Sequence, residues 1–265
     1  MPGIIRRLTG TLAGHLRHGR FGRWLLDDFP TRVHNAGGSR QIATRRVSVM
    51  LRSFRVDAAE PAMTLRHYDG GDFLDVGAHH GGYCFLLAEH AKPGSVFVAF
   101  EPAPVCFPFL SHNLATFGDL YPHVRFVPVP LPVGNGGECE FTYPMGQDYH
   151  PRVVSRTQGA APSSSPGVTA TARAVSVDET VAFLGVKPSF IKVDVEGAEV
   201  FVVEGMRSTL ERLQPTIMLE FHPGFQPSPD CPARIHAVFA QAGYRMLEEV
   251  DSHVARQQIW KPDRR

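Results

Sequence analysis

From about residue 68 the chain alternates short apolar runs with stretches of helical spacing, the pattern of a parallel sheet joined by crossover helices. Asp72–Val76 reads as a first strand, His80–Ala91 as a helix and Ser95–Phe100 as a second strand. The helix at Pro104–Ala115 is confined by Pro104 and Pro108 to its second half. Val124–Val129 is a third strand, weakened by Pro128 and Pro130, and Glu138–Tyr143 a short further one. Phe190–Val195 predicts a buried strand, Val200–Leu213 a helix closed by Pro215, and Thr216–Phe221 the following strand. A helix at Pro232–Ala242 precedes Arg245–Val250 and Val254–Trp260, which flank a turn at Asp251–Ser252. That pair reads as a hairpin, so the sheet is expected to end in an antiparallel strand.

Two segments depart from this rhythm. Before Asp27 the chain carries Arg6, Arg7, Arg17, Arg20 and Arg23 and no acid, while Leu8, Leu12 and Leu16 recur at a spacing of four. The pattern is an amphipathic helix with a basic face. It suits peripheral membrane contact, partner docking or organelle targeting, and is read here as a helical cap on the catalytic domain, because basic helical faces are usually solvated. The division expected is residues 1–65 as an N-terminal extension and 66–265 as one α/β domain. Within it, Pro144–Thr171, with GAAPSSSPG at Gly159–Gly167, is too polar and too rich in Pro, Gly and Ser to build a core, and reads as a flap near the active site.

Composition narrows the options. The 265 residues carry 27 Lys+Arg against 26 Asp+Glu, so no global field draws the chain to nucleic acid. Cys84, Cys106, Cys139 and Cys231 are widely spaced without a C-x-x-C pair, which argues against a disulfide framework and suits a reducing cytoplasm. No apolar run approaches the roughly 20 residues of a membrane span.

The chemistry concentrates at strand ends. In DFLDVGAHHGG an apolar strand runs into Asp75, Gly77, Ala78, His79 and Gly81 and then into a helix. Glycines allow the tight turn and the approach of a ligand, and the helix start offers free N–H groups. The spacing D-x-G-x-x-x-G differs from the G-x-G-x-x-G of dinucleotide folds. An acid at Asp75 repels phosphate but accepts hydrogen bonds from a cationic amino-acid group such as that of S-adenosylmethionine (SAM). Glu101 and Pro102 follow the second strand, where an acid can accept both hydroxyls of a ribose. The bland alternative, in which Asp75 caps the turn, leaves Glu101 unexplained. A second motif, FIKVDVEGAEVFVVEGM at Phe190–Met206, ends its strand in Lys192, Asp194, Glu196 and Glu199. Alternation puts Lys192, Asp194 and Glu196 on one face, and Glu220 and His222 share one side of the next strand end. Glu196 also fits an acid at a helix N-terminus. His79 and His80 are adjacent, so their side chains are expected to point apart.

Taken together, LDVGAHHGG, AFEP, IKVDVEGAEVFVVEGM and PTIMLEFHP resemble the FkbM family of SAM-dependent methyltransferases over roughly Asp72 to Pro223. The resemblance implies a class I methyltransferase fold: a Rossmann-like, mostly parallel α/β sheet with an antiparallel C-terminal hairpin strand and helices on both faces. It implies SAM as cofactor, with Asp75, Gly77 and Gly81 in the cofactor loop, Glu101 as the ribose acid and Asp194 near the methyl donor. Asn113 fits the family's asparagine late in the second helix. His79 stands where members often carry Asn, and the proline-rich VPVPLPVG departs from the usual run, at the place where Leu131 would meet adenine.

Members of the family methylate hydroxyls of polyketides and sugars, so the expected activity is O-methylation of a sugar or secondary metabolite. A hydroxyl must lose its proton to become a good nucleophile. His222 and Asp194 are the first candidates for that role, with Glu196 and Glu220 behind them, against a reading of His222 as a turn histidine packed before Pro223. A divalent metal such as Mg²⁺ on Asp194, Glu220 and His222 is weighed and not favoured, because strand-end acids more often bind cofactor or water. The competing functions are a nicotinamide oxidoreductase and a SAM-fold binding protein without catalysis.

Overall fold

The computed structural model describes residues 34–35, 38–39, 59–144, 152–154, 167–251 and 255–263. After a two-residue antiparallel pair, His34–Asn35 with Gly38–Ser39, the strands are β1 (Asp72–Val76), β2 (Val96–Phe100), β3 (Arg125–Val129), β4 (Gly137–Pro144), β5 (Arg152–Val154), β6 (Gly167–Ala174), β7 (Pro188–Val193), β8 (Thr216–Phe221), β9 (Tyr244–Asp251) and β10 (Arg256–Pro262). The helices are α1 (Ala59–His67), α2 (Gly82–Ala88), α3 (Phe107–Leu120), α4 (Val177–Leu184), α5 (Glu199–Glu204), α6 (Arg207–Leu213) and α7 (Cys231–Gln241), with a 3₁₀ turn at Pro223–Phe225. The basic segment before Asp27 lies outside the described residues. None of the described helices is long and apolar enough to cross a membrane.

Seven strands form one sheet in the order β9-β10-β8-β7-β1-β2-β3. From β8 to β3 all neighbours are parallel, and β10 is antiparallel to both β8 and β9. This is the expected class I sheet with one refinement: the second strand of the hairpin pairs with β8, so the antiparallel strand is penultimate and β9 forms the edge. Pro128 sits in β3 at little cost, because β3 is the other edge and donates on one side only.

Alternation along the strands splits the core into two layers. On one face Phe73, Phe97, Phe190 and Met218 pack with Met63 of α1, Phe85 and Leu87 of α2, and Leu110 and Phe117 of α3. On the other, Leu74, Val98, Ile191, Val193, Ile217 and Leu219 meet Val202, Val203, Leu210, Ile235 and Val238 of α5, α6 and α7. Phe73 and Phe97 stand edge to face at 5.3 Å, and each such buried ring contributes about 1.5–3 kcal/mol.

The stretch expected as one helix over Val200–Leu213 is two, α5 and α6. A Cβ at Gly205 would overlap the Gly134 carbonyl, and the chain breaks where those backbones cross. Asp178 then caps α6 from outside, accepting from Ser208 N at 3.0 Å and Thr209 N at 2.7 Å. Helix α4 went unread in the sequence although its signals are there: Ser176 and Glu179 form a reciprocal capping box and Gly185 closes it in the left-handed region. The Pro144–Thr171 segment supplies β5 and the start of β6, which pair with β4 in a separate three-stranded antiparallel sheet. Its remaining residues lie outside the described ones.

The joint between the two sequence motifs is made of backbone. Asp194 N donates to Val76 O at 2.9 Å, and Gly77 N and Ala78 N both donate to Phe100 O. Gly77 has φ 85°, and a Cβ there would overlap the Asp194 carbonyl oxygen. At Gly81, also left-handed, the nearest atom to an added Cβ is the Leu110 side chain at 3.1 Å. Gly77→Ala is therefore expected to destabilise the fold by more than about 3 kcal/mol, and Gly81→Ala by about 1–2 kcal/mol. Urea unfolding of the two variants checks the order; equal losses would show that the Gly77–Asp194 approach is not the tighter constraint.

Candidate functional site

Two residues beyond the aromatic layer, on the same face and at the carboxyl ends of the strands, stand ionisable side chains. Phe73 is followed by Asp75, Phe190 by Lys192 and Met218 by Glu220, so the alternation that builds the core also delivers the site. Asp75 and Lys192 are register partners on neighbouring strands. Crevices of this kind, at the carboxyl ends of parallel strands, are where ligands bind in open α/β sheets.

Asp75 is 1% exposed. Its Oδ2 accepts from Cys84 Sγ at 3.6 Å, while Oδ1 is buried without a hydrogen-bond partner among the described residues. Burial lifts its carboxyl to about 6, against the opposing pull of Lys192 and of the Cys84 thiol. A buried, half-satisfied carboxylate oxygen suits a donor or a cation from outside the chain.

Glu101 is equally buried and its two oxygens are divided, Oε2 accepting from His79 N at 3.0 Å and Oε1 from Ala103 N at 2.8 Å. Each oxygen keeps a further lone pair, the arrangement that two neighbouring hydroxyls require. Burial drives this carboxyl to about 8, although both backbone bonds lower it. Glu101 N donates to Val129 O, which sets the end of β3, and hence half-buried Leu131, near the acid.

The loop between them is tied down by Asn113 of α3, fully buried, whose Nδ2 donates to His80 O at 2.8 Å. His79 has φ 50°, in the region that Asn and His tolerate better than most residues, which accounts for His standing in an Asn position. That turn also corrects one expectation. The rings of His79 and His80 do not point apart but stack at 3.8 Å, because the left-handed residue breaks the usual alternation. Cys106 lies beside them, its thiol pushed up to about 12 by burial and by Glu101, so it offers no thiolate.

The second motif assembles differently from the simple alternation expected. Strand β7 stops at Val193, and Glu196 reaches the site through a left-handed turn at φ 54°, while the first-turn acid of α5 is Glu199. Lys192, 2% exposed, donates to Asp194 Oδ2 at 2.9 Å and lies over the Tyr83 ring at 4.6 Å. Burial works against its charge, but Asp194 and Asp75 outweigh burial and raise the ammonium above its ordinary value.

His222 is the centre of the acidic end. Its Nδ1 is 2.8 Å from Glu199 Oε1, and its Nε2 faces Glu196 Oε2 at 3.7 Å, Glu220 Oε1 at 3.8 Å and Asp194 Oδ1 at 3.9 Å. Glu199 is fully buried and held by Gly197 N and Gln226 Nε2. Burial pulls the imidazole down, but the Glu199 hydrogen bond and the Asp194 charge outweigh it and hold His222 up at about 9. Glu220 is raised to about 8 by burial and by Asp194, and Gln257 of β10 donates to it at 3.2 Å. All four candidate catalytic residues thus meet in one place. Glu199, noted in the sequence among the strand-end acids, joins them, as do Tyr83, Gln226 and Gln257, which were not singled out, while Cys84 joins Asp75; a buried glutamine on an inner strand is the one of these the sequence could have signalled.

Raised carboxyl values mean that the folded state holds protons the unfolded chain releases. For Glu101 the folded value, about 8, exceeds the ordinary 4.5, so its contribution to stability is present at low pH and is lost as pH rises toward 8. Glu101→Gln is expected to melt close to wild type at pH 5 and above it at pH 8. Thermal unfolding of the ligand-free chains across that range checks it, and a gap that does not grow with pH would show that Glu101 is not the buried acid described.

The family model for the methyltransferase FkbM domain matches residues 75–246. No curated protein matches the chain. Among solved structures, it is similar to methyltransferase FkbM from Methylobacillus flagellatus KT, 15% identical, over 72% of this chain and 44% of that one, with a TM-score of 0.49. It is also similar to the fibrillarin of Aeropyrum pernix, solved with natively bound SAM, at 13% identity over 73% and 66% of the two chains and a TM-score of 0.43. A SAM-dependent O-methyltransferase from Thermotoga maritima is 12% identical over 77% and 64%, with a TM-score of 0.41. The chain thus spans less than half the length of the Methylobacillus protein.

Proposed function

This chain belongs to the methyltransferase FkbM family, and from that premise we propose that it transfers the methyl group of SAM to a hydroxyl of a sugar or secondary metabolite. The observation that carries the reading is the pair of buried acids at adjacent strand ends, Asp75 with one oxygen unsatisfied and Glu101 with a lone pair left on each oxygen. Asp75 suits a cationic amino-acid group, Glu101 suits a ribose diol, and the loop Gly77–Gly81 that joins them is fixed by Asn113 and by the β7 backbone. Ala78, His79 and Pro102 line that loop and its partner turn, Leu131 stands at the β3 end for the base, and Asp194 lies toward the reacting end. When bound, SAM supplies a methyl group already activated by the charge on sulfur.

What remains for the protein is to align an acceptor, exclude water and take up a proton. An imidazole held at about 9 carries its proton at pH 7, so His222 alone is a poor base there. We assign proton uptake to the cluster as a whole, in which Asp194 Oδ1, Glu196 Oε2 and Glu220 Oε1 lie within 3.9 Å of His222 Nε2. Glu199 is the positioning residue that fixes the imidazole orientation.

Isothermal calorimetry with SAM and with NAD tests the cofactor. Wild type is expected to bind SAM and not NAD, Asp75→Ala and Glu101→Ala are expected to lose SAM binding, and NAD binding without SAM binding would overturn the reading. His222→Ala is expected to keep SAM affinity within about threefold and to lower turnover on the acceptor by about 10²-fold or more. Incubation with labelled SAM and fractionated extracts of the native cell supplies that acceptor, and full turnover by His222→Ala would remove His222 from the group.

A further inference from the structure

Asp194, Glu220 and His222 each present one ligand atom, and these atoms lie within 4.8 Å of one another. An acidic cluster alone is no site, since surface carboxylates gather without a ligand. Here the imidazole supplies an independent sign. His222 is 4% exposed, its Nδ1 is taken by Glu199, and its Nε2 points at three carboxylate oxygens at 3.7–3.9 Å, all beyond hydrogen-bond length. The buried Nε2 is thus aimed at three carboxylate oxygens at ion-pair distance and is hydrogen-bonded to none of them.

The groups behind the ligands have the pattern of an orienting shell. Asp194 is held through its other oxygen by Lys192, Glu220 by Gln257, and His222 by Glu199, itself fixed by Gly197 N and Gln226. A carboxylate on the far nitrogen of a ligating histidine sets its tautomer and directs the other lone pair at the ion. Charge agrees with geometry: Asp194, Glu196, Glu199 and Glu220 face Lys192 and His222, an excess of acid around a half-buried point.

We propose that Asp194, Glu220 and His222 bind a divalent cation of the Mn²⁺ or Mg²⁺ type. Two carboxylate oxygens and one imidazole nitrogen suit an octahedral ion that prefers oxygen. Such an ion places neighbouring ligands about 3 Å apart and opposite ones about 4.2 Å apart, so shifts of under about 1 Å close the set. Three protein ligands leave about three positions for water or for oxygens of the acceptor; the ion takes the place of a proton on His222 Nε2, lowers the pKa of a hydroxyl it holds, and leaves Glu196, beside the set but not a ligand, to accept the proton of that hydroxyl. This last role rests on the methyl-transfer reading above; the ion site itself does not.

The test uses the full chain, stripped with EDTA, desalted and titrated with MnCl₂ while free Mn²⁺ is followed by electron paramagnetic resonance. Expected is saturable uptake of one ion per chain, weakened at least tenfold in Glu220→Gln and His222→Gln and about tenfold in Glu199→Gln. Pulsed measurements are expected to show nitrogen coupling from one imidazole in wild type and none in His222→Gln. Absence of saturable binding up to roughly 1 mM, or binding that Glu220→Gln leaves unchanged, overturns the site. The Glu220 variant, whose side chain is 20% exposed against 5% for His222, decides the question if His222→Gln does not fold. Calorimetry with SAM on the same samples separates the two readings: SAM binding without Mn²⁺ removes only the ion, and Mn²⁺ binding without SAM removes the methyl-transfer reading and leaves the ion site standing.

Discussion

The approach of two backbones at Gly77 and Asp194 sets the rest of the structure. Asp194 N meets Val76 O, and the Asp194 carbonyl occupies the space where any other residue at 77 would carry a Cβ. One contact therefore closes the Asp75–Gly81 loop and fixes where the acidic end of β7 lies beside it. The glycine looks from the sequence like room for a ligand; in the fold it is room for the neighbouring strand. The consequence is that the Asp75–Gly81 loop and the acidic end cannot move independently, which is what a site assembled from separate strands requires.

Above the aromatic layer the same strands bury an unusual amount of acid. Asp75 and Glu101 are nearly inaccessible, and Glu199 is wholly so, each held by few hydrogen bonds and with Lys192 as the buried ammonium between the motifs. Burying carboxylates without full compensation opposes folding. The fold offsets this through the packing below them, where Phe73, Phe97, Phe190 and Tyr68 interlock edge to face. Buried carboxylates thus gather at two points, at Asp75 and Glu101 and around His222.

Orientation at the acidic end is decided one step away from the reacting atoms. Glu199 and Gln226 hold one side of the imidazole, Gln257 reaches across from the antiparallel β10, and Asn113 pins the loop from α3. The insertion of β10 beside β8 has a local meaning as well as a topological one, since Glu220 and Gln257 are register partners in that ladder. A plain parallel edge at β8 would leave Glu220 without that neighbour.

Much of this was written locally. The periods of apolar residues gave β1, β2, β8 and the order of strands and helices, because a strand buried on both faces or a helix buried on one leaves a pattern only a few residues long. D-x-G-x-x-x-G, the acid after β2 and IKVDVEGAE likewise picked out the tight loop, the buried acid at the strand end and the family, since each is a short stretch whose chemistry depends on its neighbours in sequence. Tertiary structure decided what depends on distant residues. It broke Val200–Leu213 at Gly205 because Gly134 crosses there, stacked His79 on His80 through one left-handed residue, and placed β10 inside the sheet. Above all, it turned His222 from a histidine before a proline into the hub of four carboxylates drawn from β8, from α5 and from the turn between β7 and α5. Sequence spacing could bring those acids to one edge of the sheet, but only packing of the strands and of α5 could aim them at one nitrogen.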